Sequence, residues 1–310
     1  MVYRTATTLD AVRARGVVRA VVSQGIRGLS LPDGHGGWSG LDTDVARAVA
    51  AAALGDGGAV EWLPTDPGER LTRLTSGAAD LTTCNLSWTL GREAREPVLF
   101  AGVTCYDGEG FLVRTADRIS GPEQLAGQRL ATQAGTTTAG NLAAWFGARG
   151  LEVEPVAYAT PAEALAGYAD GTCAAYVLDR IALAGARATL PRPADHVVLE
   201  TAISREPMAL AVRDDDPAWF RVCRWVLQFL VGAEDAVREG GSARAAADLA
   251  GRHGPALGLD ETWAHRILDA VGTYGDVYER NLGPSSGLDV GRGANALWTD
   301  GGLHYPLPLN

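Results

Sequence analysis

The chain has 310 residues, 46% of them hydrophobic, and a formal net charge of −10. That length predicts two globular lobes, each with a core of its own, and the negative balance excludes a general nucleic-acid binder. All 27 basic residues are arginine, which excludes a lysine Schiff base, hence a conventional pyridoxal-phosphate enzyme, and the lysine of a P-loop.

The four cysteines, Cys84, Cys105, Cys173 and Cys223, show no CxxC spacing, and the five histidines lie far apart. No metal site and no cofactor is expected. No run is long and apolar enough to span a membrane, and MVYRTATTLD lacks the apolar core of a signal peptide. Two locations stay open: cytoplasmic if Met1 is the native start, extracytoplasmic (periplasmic or cell-surface) if a signal has been removed.

Leu9 to Arg15 reads as a short helix closed by Gly16, and Val17 to Val22 as a buried strand. SQGIRG, residues 23–28, follows as a polar turn at the strand's C-terminal end, where α/β sheets bind ligands. Asp42 and Asp44 open a helix with an apolar face at Val45, Ala48, Val49 and Ala52, and are read as caps at its positive end. Val60 to Leu63 is a second strand, and Pro67 to Thr75 a helix ended by Ser76-Gly77.

LTTCNLSWTLGREAREPVLF, residues 81–100, opens as a buried strand end and passes through Cys84, Asn85, Ser87 and Thr89 to Arg92. Small polar side chains just past a strand leave backbone groups open to a ligand, and an arginine there can pair with a carboxylate. The alternative is an Arg92 that is solvated or paired with Glu96. Val98 to Val103 is the next strand, and the β-α-β-α-β order predicts a doubly wound parallel sheet.

YDGEG, residues 106–110, breaks the composition and reads as a crossing into a second lobe that starts with the strand Phe111 to Val113. Ser120 to Gly127 is a helical turn and Arg129 to Gln133 a strand. Gly135-Thr136-Thr137 then leads into a helix from Gly140 to Ala148. Free N–H groups, hydroxyls and the helix dipole make such a turn an anion site, although threonine is also a common cap. Pro161 to Asp170 is a helix and Cys173 to Leu178 a strand. Asp179 stands at its end, as a cap for the helix running on to Ala188 or as an acceptor for an ammonium group. Val197 to Leu199 is a strand, Ser204 to Pro207 the return crossing, and Ala209 to Val212 rejoins the first sheet. Helices at Trp219 to Leu230 and Glu261 to Tyr274 and an irregular tail close the chain. The expected division is one lobe from 1–110 with 206–310, and a second from 111–205.

Ser87 with Arg92, Gly135-Thr136-Thr137 and Asp179 thus sit at strand ends on two lobes. Closed on each other, the lobes form a carboxylate clamp with an acid for an ammonium, a socket for an α-amino acid. Burying a zwitterion costs several kcal/mol per charge, so both ends need charged or hydrogen-bonding partners.

From about Leu9 to the C-terminus, the chain resembles the family 3 extracellular solute-binding proteins of ABC importers, and within them the general L-amino-acid-binding branch. The resemblance is carried by GLDTDVARAVAAAALGD, NLSWTLGRE, FAGVTCYDGEGFLVR, QAGTTTAGNLAAWF, EPMALAVR, GTYGDVYERNLG and GANALW, the last two specific to that branch. It implies a type 2 periplasmic-binding-protein fold: two doubly wound α/β lobes, joined by two hinge crossings, that close on a free amino acid. It also implies a monomer with no cofactor, an ABC permease as partner and no insertion into the membrane. Arg92 matches the family's carboxylate-binding arginine, Thr137 and its neighbouring backbone the second-lobe carboxylate contact, Ser87 a hydroxyl near the α-carbon, and Asp179 the ammonium-binding acid. Asn85 falls among the same contacts. Ser23, Gly25, Ile26 and Pro67 fall where the side-chain pocket is lined; these mostly small, neutral residues do not predict a strongly charged ligand, although Arg27 and Arg70 can select an acidic one. Trp88 is expected close to the cleft.

Relatives in that branch tend to carry Arg where this chain has Cys84, Asn where it has Ser23, Tyr where it has Cys105, and Gln where it has Glu109. With the lack of an export signal, these departures support a rival: a cytoplasmic, pyridoxal-independent racemase, lyase, dehydratase or cyclase acting on an amino acid, with Cys84 and Glu109 moving protons; the fold has yielded cyclohexadienyl dehydratases. A third reading is a sensory or regulatory binding subunit, which requires a partner protein.

Overall fold

The computed structural model describes residues 7–310; residues 1–6, and with them the question of Met1, lie outside the described residues. Twelve strands occur in chain order: β1 (Val18–Val22), β2 (Leu31–Pro32), β3 (Trp38–Ser39), β4 (Val60–Pro64), β5 (Leu81–Thr82), β6 (Val98–Asp107), β7 (Glu109–Arg114), β8 (Arg129–Gln133), β9 (Glu154–Tyr158), β10 (Ala175–Asp179), β11 (His196–Val198) and β12 (Glu206–Arg213). They form two five-stranded sheets, ordered β4-β1-β5-β12-β6 and β11-β7-β10-β8-β9, with β2 and β3 as a separate two-stranded pair. Each sheet is the centre of one lobe. β1 runs parallel to β4 and β5, as expected of crossovers through helices. The first sheet is not wholly parallel, because the returning β12 is antiparallel to both β5 and β6.

Helix Leu41–Leu54 shows why the first lobe holds together. Nearly all of its side chains are buried, including Leu41, Val45 and Val49. It packs against the helices Pro217–Arg238 and Trp263–Ala270 as well as β1. A helix covered on so many sides is read from its alanines, whose small side chains let neighbouring backbones come close. Each buried valine or leucine contributes about 1.5–3 kcal/mol relative to exposure.

The acidic first turn is used differently from the expected capping. Gly40 is the N-cap and no side chain caps it. Asp42 instead accepts the Asn85 N–H at 3.0 Å. Asp44 accepts from Arg47 at 2.9 Å, and from Arg280 and Asn281 at 2.7 Å each. Near the C-terminus, the single helix expected over residues 261–274 is two, Trp263–Ala270 and Tyr274–Asn281. Between them Gly272 adopts φ +80°, a left-handed conformation that ends the first, and Thr273 with Asp276 forms a capping box that starts the second. Helix Ala243–Gly251, which buries Ala246, Ala247 and Ala250 on one face, was not among the predicted elements. β9 and the β2–β3 pair also escaped: the first has no fully buried residue, and the second is two residues a strand.

The two sheets are joined where β6 runs into β7 through Gly108, and where β12 returns. Glu206 pairs with Asp107 in one sheet, and Asp179 with Glu109 in the other. A Cβ on Gly108 would sit 2.7 Å from the Ser204 carbonyl oxygen, so only glycine lets the crossings approach this closely. Among the described residues no helix is long and apolar enough to cross a membrane.

Candidate ligand-binding cleft

The C-terminal ends of β5, β8 and β10 and the start of β7 converge on one cavity. Pro67, Arg70, Asn85, Ser87 and Arg92 line it from the side of the first sheet; Glu109, Gln133, Thr136, Thr137, Thr138, Leu178 and Asp179 line it from the side of the second. Of the residues read as ligand contacts, Pro67, Asn85, Ser87, Arg92, Thr136, Thr137 and Asp179 are therefore brought together. The enclosed space is about 30 Å³, room for a water or two and less than an amino acid needs. Entry of a ligand therefore requires the lobes to part.

Arg92 lies on the short helix Leu90–Arg95, whose N-cap Thr89 accepts the Arg92 N–H at 3.2 Å. Its guanidinium donates from Nη1 to the Ser87 carbonyl at 2.7 Å. The pairing with Glu96 that offered the alternative reading is absent among the described residues. Burial lowers the Arg92 pKa, and the Arg70 charge lowers it further. Arg70 is only 6% exposed. It donates from Nη1 to the Cys84 and Asn85 carbonyls at 3.3 and 3.4 Å, while its buried Nε has no partner. Two guanidinium groups thus face one small cavity.

The acids on the other side are held by amides and hydroxyls. Asp179 accepts the Asn85 Nδ2–H at 3.1 Å across the cleft. Burial raises its pKa to about 6, with the Asn85 bond opposing and the nearby Glu206 charge adding to the rise. Glu109 accepts the Thr138 hydroxyl, and Asn141 Nδ2 at 2.8 Å. Burial raises its pKa to about 7 against the pull of those two bonds. The same Asn141 amide reaches Glu206 Oε1 at 2.9 Å, and Glu206 also accepts from Ser204 at 2.6 Å and from the Ser87 hydroxyl. Asp179 is the N-cap residue of helix Arg180–Thr189 but makes no side-chain capping bond; the Ile181 N–H there goes to Asp107 at 2.9 Å. Thr137 is the N-cap of helix Thr138–Gly147 but makes no side-chain capping bond.

Several expected contacts lie elsewhere. Ser23 is fully buried with its hydroxyl on Ser30, away from the cavity. Ile26 and Gly25 line a separate, mostly apolar cavity of about 330 Å³, which shares only Leu178 with the first. Gly135 does not line the site, but at φ +74° a Cβ there would meet the Gly68 nitrogen at 3.2 Å, so it is where the lobes touch. The Cys84 thiol packs with Val21 and Ala79 beneath the floor and contacts Thr82; only its carbonyl faces the arginine. Cys105 is likewise fully buried in the core. Trp88 stacks on Phe100 at 5.4 Å and does not line the cavity. Sequence reasoning missed Glu206, Thr138 and Asn141, whose only signal is their proximity to the crossing and the Gly-Thr-Thr turn.

Residues 18–239 match the bacterial extracellular solute-binding proteins, family 3. The chain is 37% identical to the general L-amino acid-binding periplasmic protein AapJ of Rhizobium johnstonii, over 98% of this chain and 93% of that one. It is 39% identical to the glutamate/glutamine/aspartate/asparagine-binding protein BztA of Rhodobacter capsulatus, over 98% and 94%. It superposes with a TM-score of 0.94 on an ABC transporter periplasmic binding protein from Brucella ovis with glutathione bound, at 39% identity over 99% of this chain and all of that one. With the two-lobed fold and a cleft lined from both lobes, these matches show that the chain belongs to the family 3 bacterial extracellular solute-binding proteins.

Proposed function

We propose that the protein captures a free α-amino acid in this cleft, outside the cytoplasm, as the monomeric solute-binding component of an amino-acid ABC transporter, and that it prefers ligands with a second carboxylate. The observation that carries the reading is the pair Arg92 and Arg70 facing one cavity whose opposite wall holds Asp179 and Glu109. Arg92 takes the α-carboxylate together with Thr137 and the free N–H groups of its helix end. Asp179 takes the ammonium, exchanging the Asn85 amide for it. Arg70 takes the distal carboxylate with donors that its two long carbonyl contacts leave unused. The hinge lies between lobes 1–110 with 206–310 and 111–205, and the permease is the partner to which the closed form delivers.

The relatives support this reading. One is named for binding glutamate, glutamine, aspartate and asparagine. Another holds glutathione, whose γ-glutamyl end offers a free ammonium and α-carboxylate to such a socket. Against the enzymatic rival stands the Cys84 thiol, which lies outside the cavity and whose pKa is raised by burial. A nucleophile or base needs the opposite.

Isothermal titration calorimetry with glutamate, aspartate, glutamine, arginine and glutathione tests the proposal. Saturable one-to-one binding is expected, tightest for ligands with two carboxylates. Arginine as the strongest ligand would refute the acidic preference, and no binding of any of the five would refute the amino-acid reading.

A further inference from the structure

A second cavity, far larger than the ligand cleft, lies at the crossings. It measures about 810 Å³ and is bounded by both crossings, by the helix Arg180–Thr189 and by the C-terminal segment after Tyr278. Asp179 and Arg180 are neighbours in sequence, yet the first faces the cleft and the second this cavity. Arg180, Arg187 and Arg205 line it, and among the described residues none of the three makes a salt bridge or donates a side-chain hydrogen bond. The Nε atoms of Arg180 and Arg187 are buried without a partner.

Arg205 is exposed to solvent, but the buried, unpartnered Nε atoms of Arg180 and Arg187 leave two guanidinium donors unsatisfied on the wall of one space. Nearby acids are already engaged or do not reach them. Asp107 is tied to the Ile181 and Gly108 N–H groups and feels Arg180 only as a neighbouring charge. Glu206 is bound within the Ser87–Asn141–Ser204 network. Asp289 lines the same cavity without bonding the three arginines. Arg292, also on the wall, is paired with Glu234 at 3.0 Å. Much of the rest is apolar: Leu288, Val290 and Leu303 on the first lobe, Ile181 and Val198 on the second.

We infer that this hinge cavity is a second ligand site, separate from the amino-acid cleft, that takes an amphipathic organic anion. Its acidic head pairs with Arg180, Arg187 and Arg205, and its apolar body lies against Leu288 and Val290. A guanidinium with an unpartnered Nε offers a fork to a carboxylate or sulfonate, and a mixed apolar and cationic lining is what such a molecule requires.

The probe is the fluorescent anion anilinonaphthalenesulfonate, titrated into the full chain. Saturable enhancement is expected, displaced by octanoate but not by the same concentration of inorganic phosphate. The Arg180→Gln/Arg187→Gln pair should weaken it at least tenfold. Arg205→Gln, an exposed position that leaves the fold undisturbed, should weaken it severalfold. Arg92→Ala, which disables the proposed amino-acid cleft, should leave it unchanged. Absence of saturable binding, equal binding by the arginine variants, or loss in Arg92→Ala would overturn the assignment. Displacement by phosphate as efficient as by octanoate would overturn the apolar half of it.

Discussion

On the first-lobe wall of the cleft, Arg92 spends one side-chain hydrogen bond on the Ser87 carbonyl and Arg70 reaches two carbonyls at 3.3 and 3.4 Å. On the facing wall, Asp179 is held by an amide and Glu109 by an amide and a hydroxyl, while Glu206, at the return crossing behind the cavity, takes the same Asn141 amide and two hydroxyls. The cationic side keeps donors open while the acidic side is satisfied by the protein's own groups. A ligand carboxylate therefore displaces little, whereas a ligand ammonium must take Asp179 from Asn85. Arg92→Ala should break the open side most. Leaving a carboxylate buried without its cation costs about 3–5 kcal/mol, or roughly two to three and a half orders of magnitude in affinity. Calorimetry that finds near-native affinity in this variant would remove Arg92 from the site.

Arg70→Gln tests the second open cation. Losing a charge-assisted hydrogen bond costs about 1.5–3 kcal/mol, so glutamate binding should weaken roughly tenfold to a hundredfold while glutamine binding holds. Equal loss for both ligands would mean that Arg70 supports the floor through Cys84 and Asn85 and does not read the side chain.

The satisfied side predicts an effect of the opposite sign. Asn85→Ala frees Asp179 from its amide at a cost to the ligand-free fold of about 1 kcal/mol, and that bond no longer has to be broken by the ammonium. Affinity should hold or rise severalfold while the unfolding midpoint of the ligand-free protein falls. A large loss of affinity would instead make Asn85 a direct ligand contact.

The sequence showed the strand ends on both walls better than the acid network behind them. Arg92, Ser87, Thr137 and Asp179 sit at strand ends, and strand ends can be read from short runs of apolar residues next to small polar ones. Glu206 and Asn141 act through each other across 65 residues of chain, and nothing in local periodicity announces such a pair. The parallel pairing of β1 with β4 and β5 was legible for the same reason that the antiparallel return of β12 was not. Alternating strands and helices imply parallel neighbours, but a strand arriving from the other lobe has no crossover helix to fix its direction. Ser23 and Cys84 illustrate the limit within a strand end: their places in the chain were right, but which way each side chain turned depended on Ser30 and on the Val21–Ala79 packing.

The smallest effect sharpens the account of the acidic wall. The Glu109 pKa is raised by burial from 4.5 to about 7, so the folded state binds a proton that the unfolded state has already released. Stability from that proton is fully present below about pH 4.5 and fades as pH climbs towards 7. The substitution Glu109→Gln places a neutral carboxamide there at every pH, and that group can keep partners on Thr138 and Asn141. At pH 4 the variant should match the wild type. At pH 8 it should be the more stable of the two by about 1 kcal/mol, a discounted share of the roughly 1.4 kcal/mol per pKa unit. Denaturant unfolding of the ligand-free protein at the two pH values reads the difference. Parallel pH profiles for wild type and variant would mean that Thr138 and Asn141 hold Glu109 ionised, and that the acidic wall carries a full negative charge to meet the ammonium.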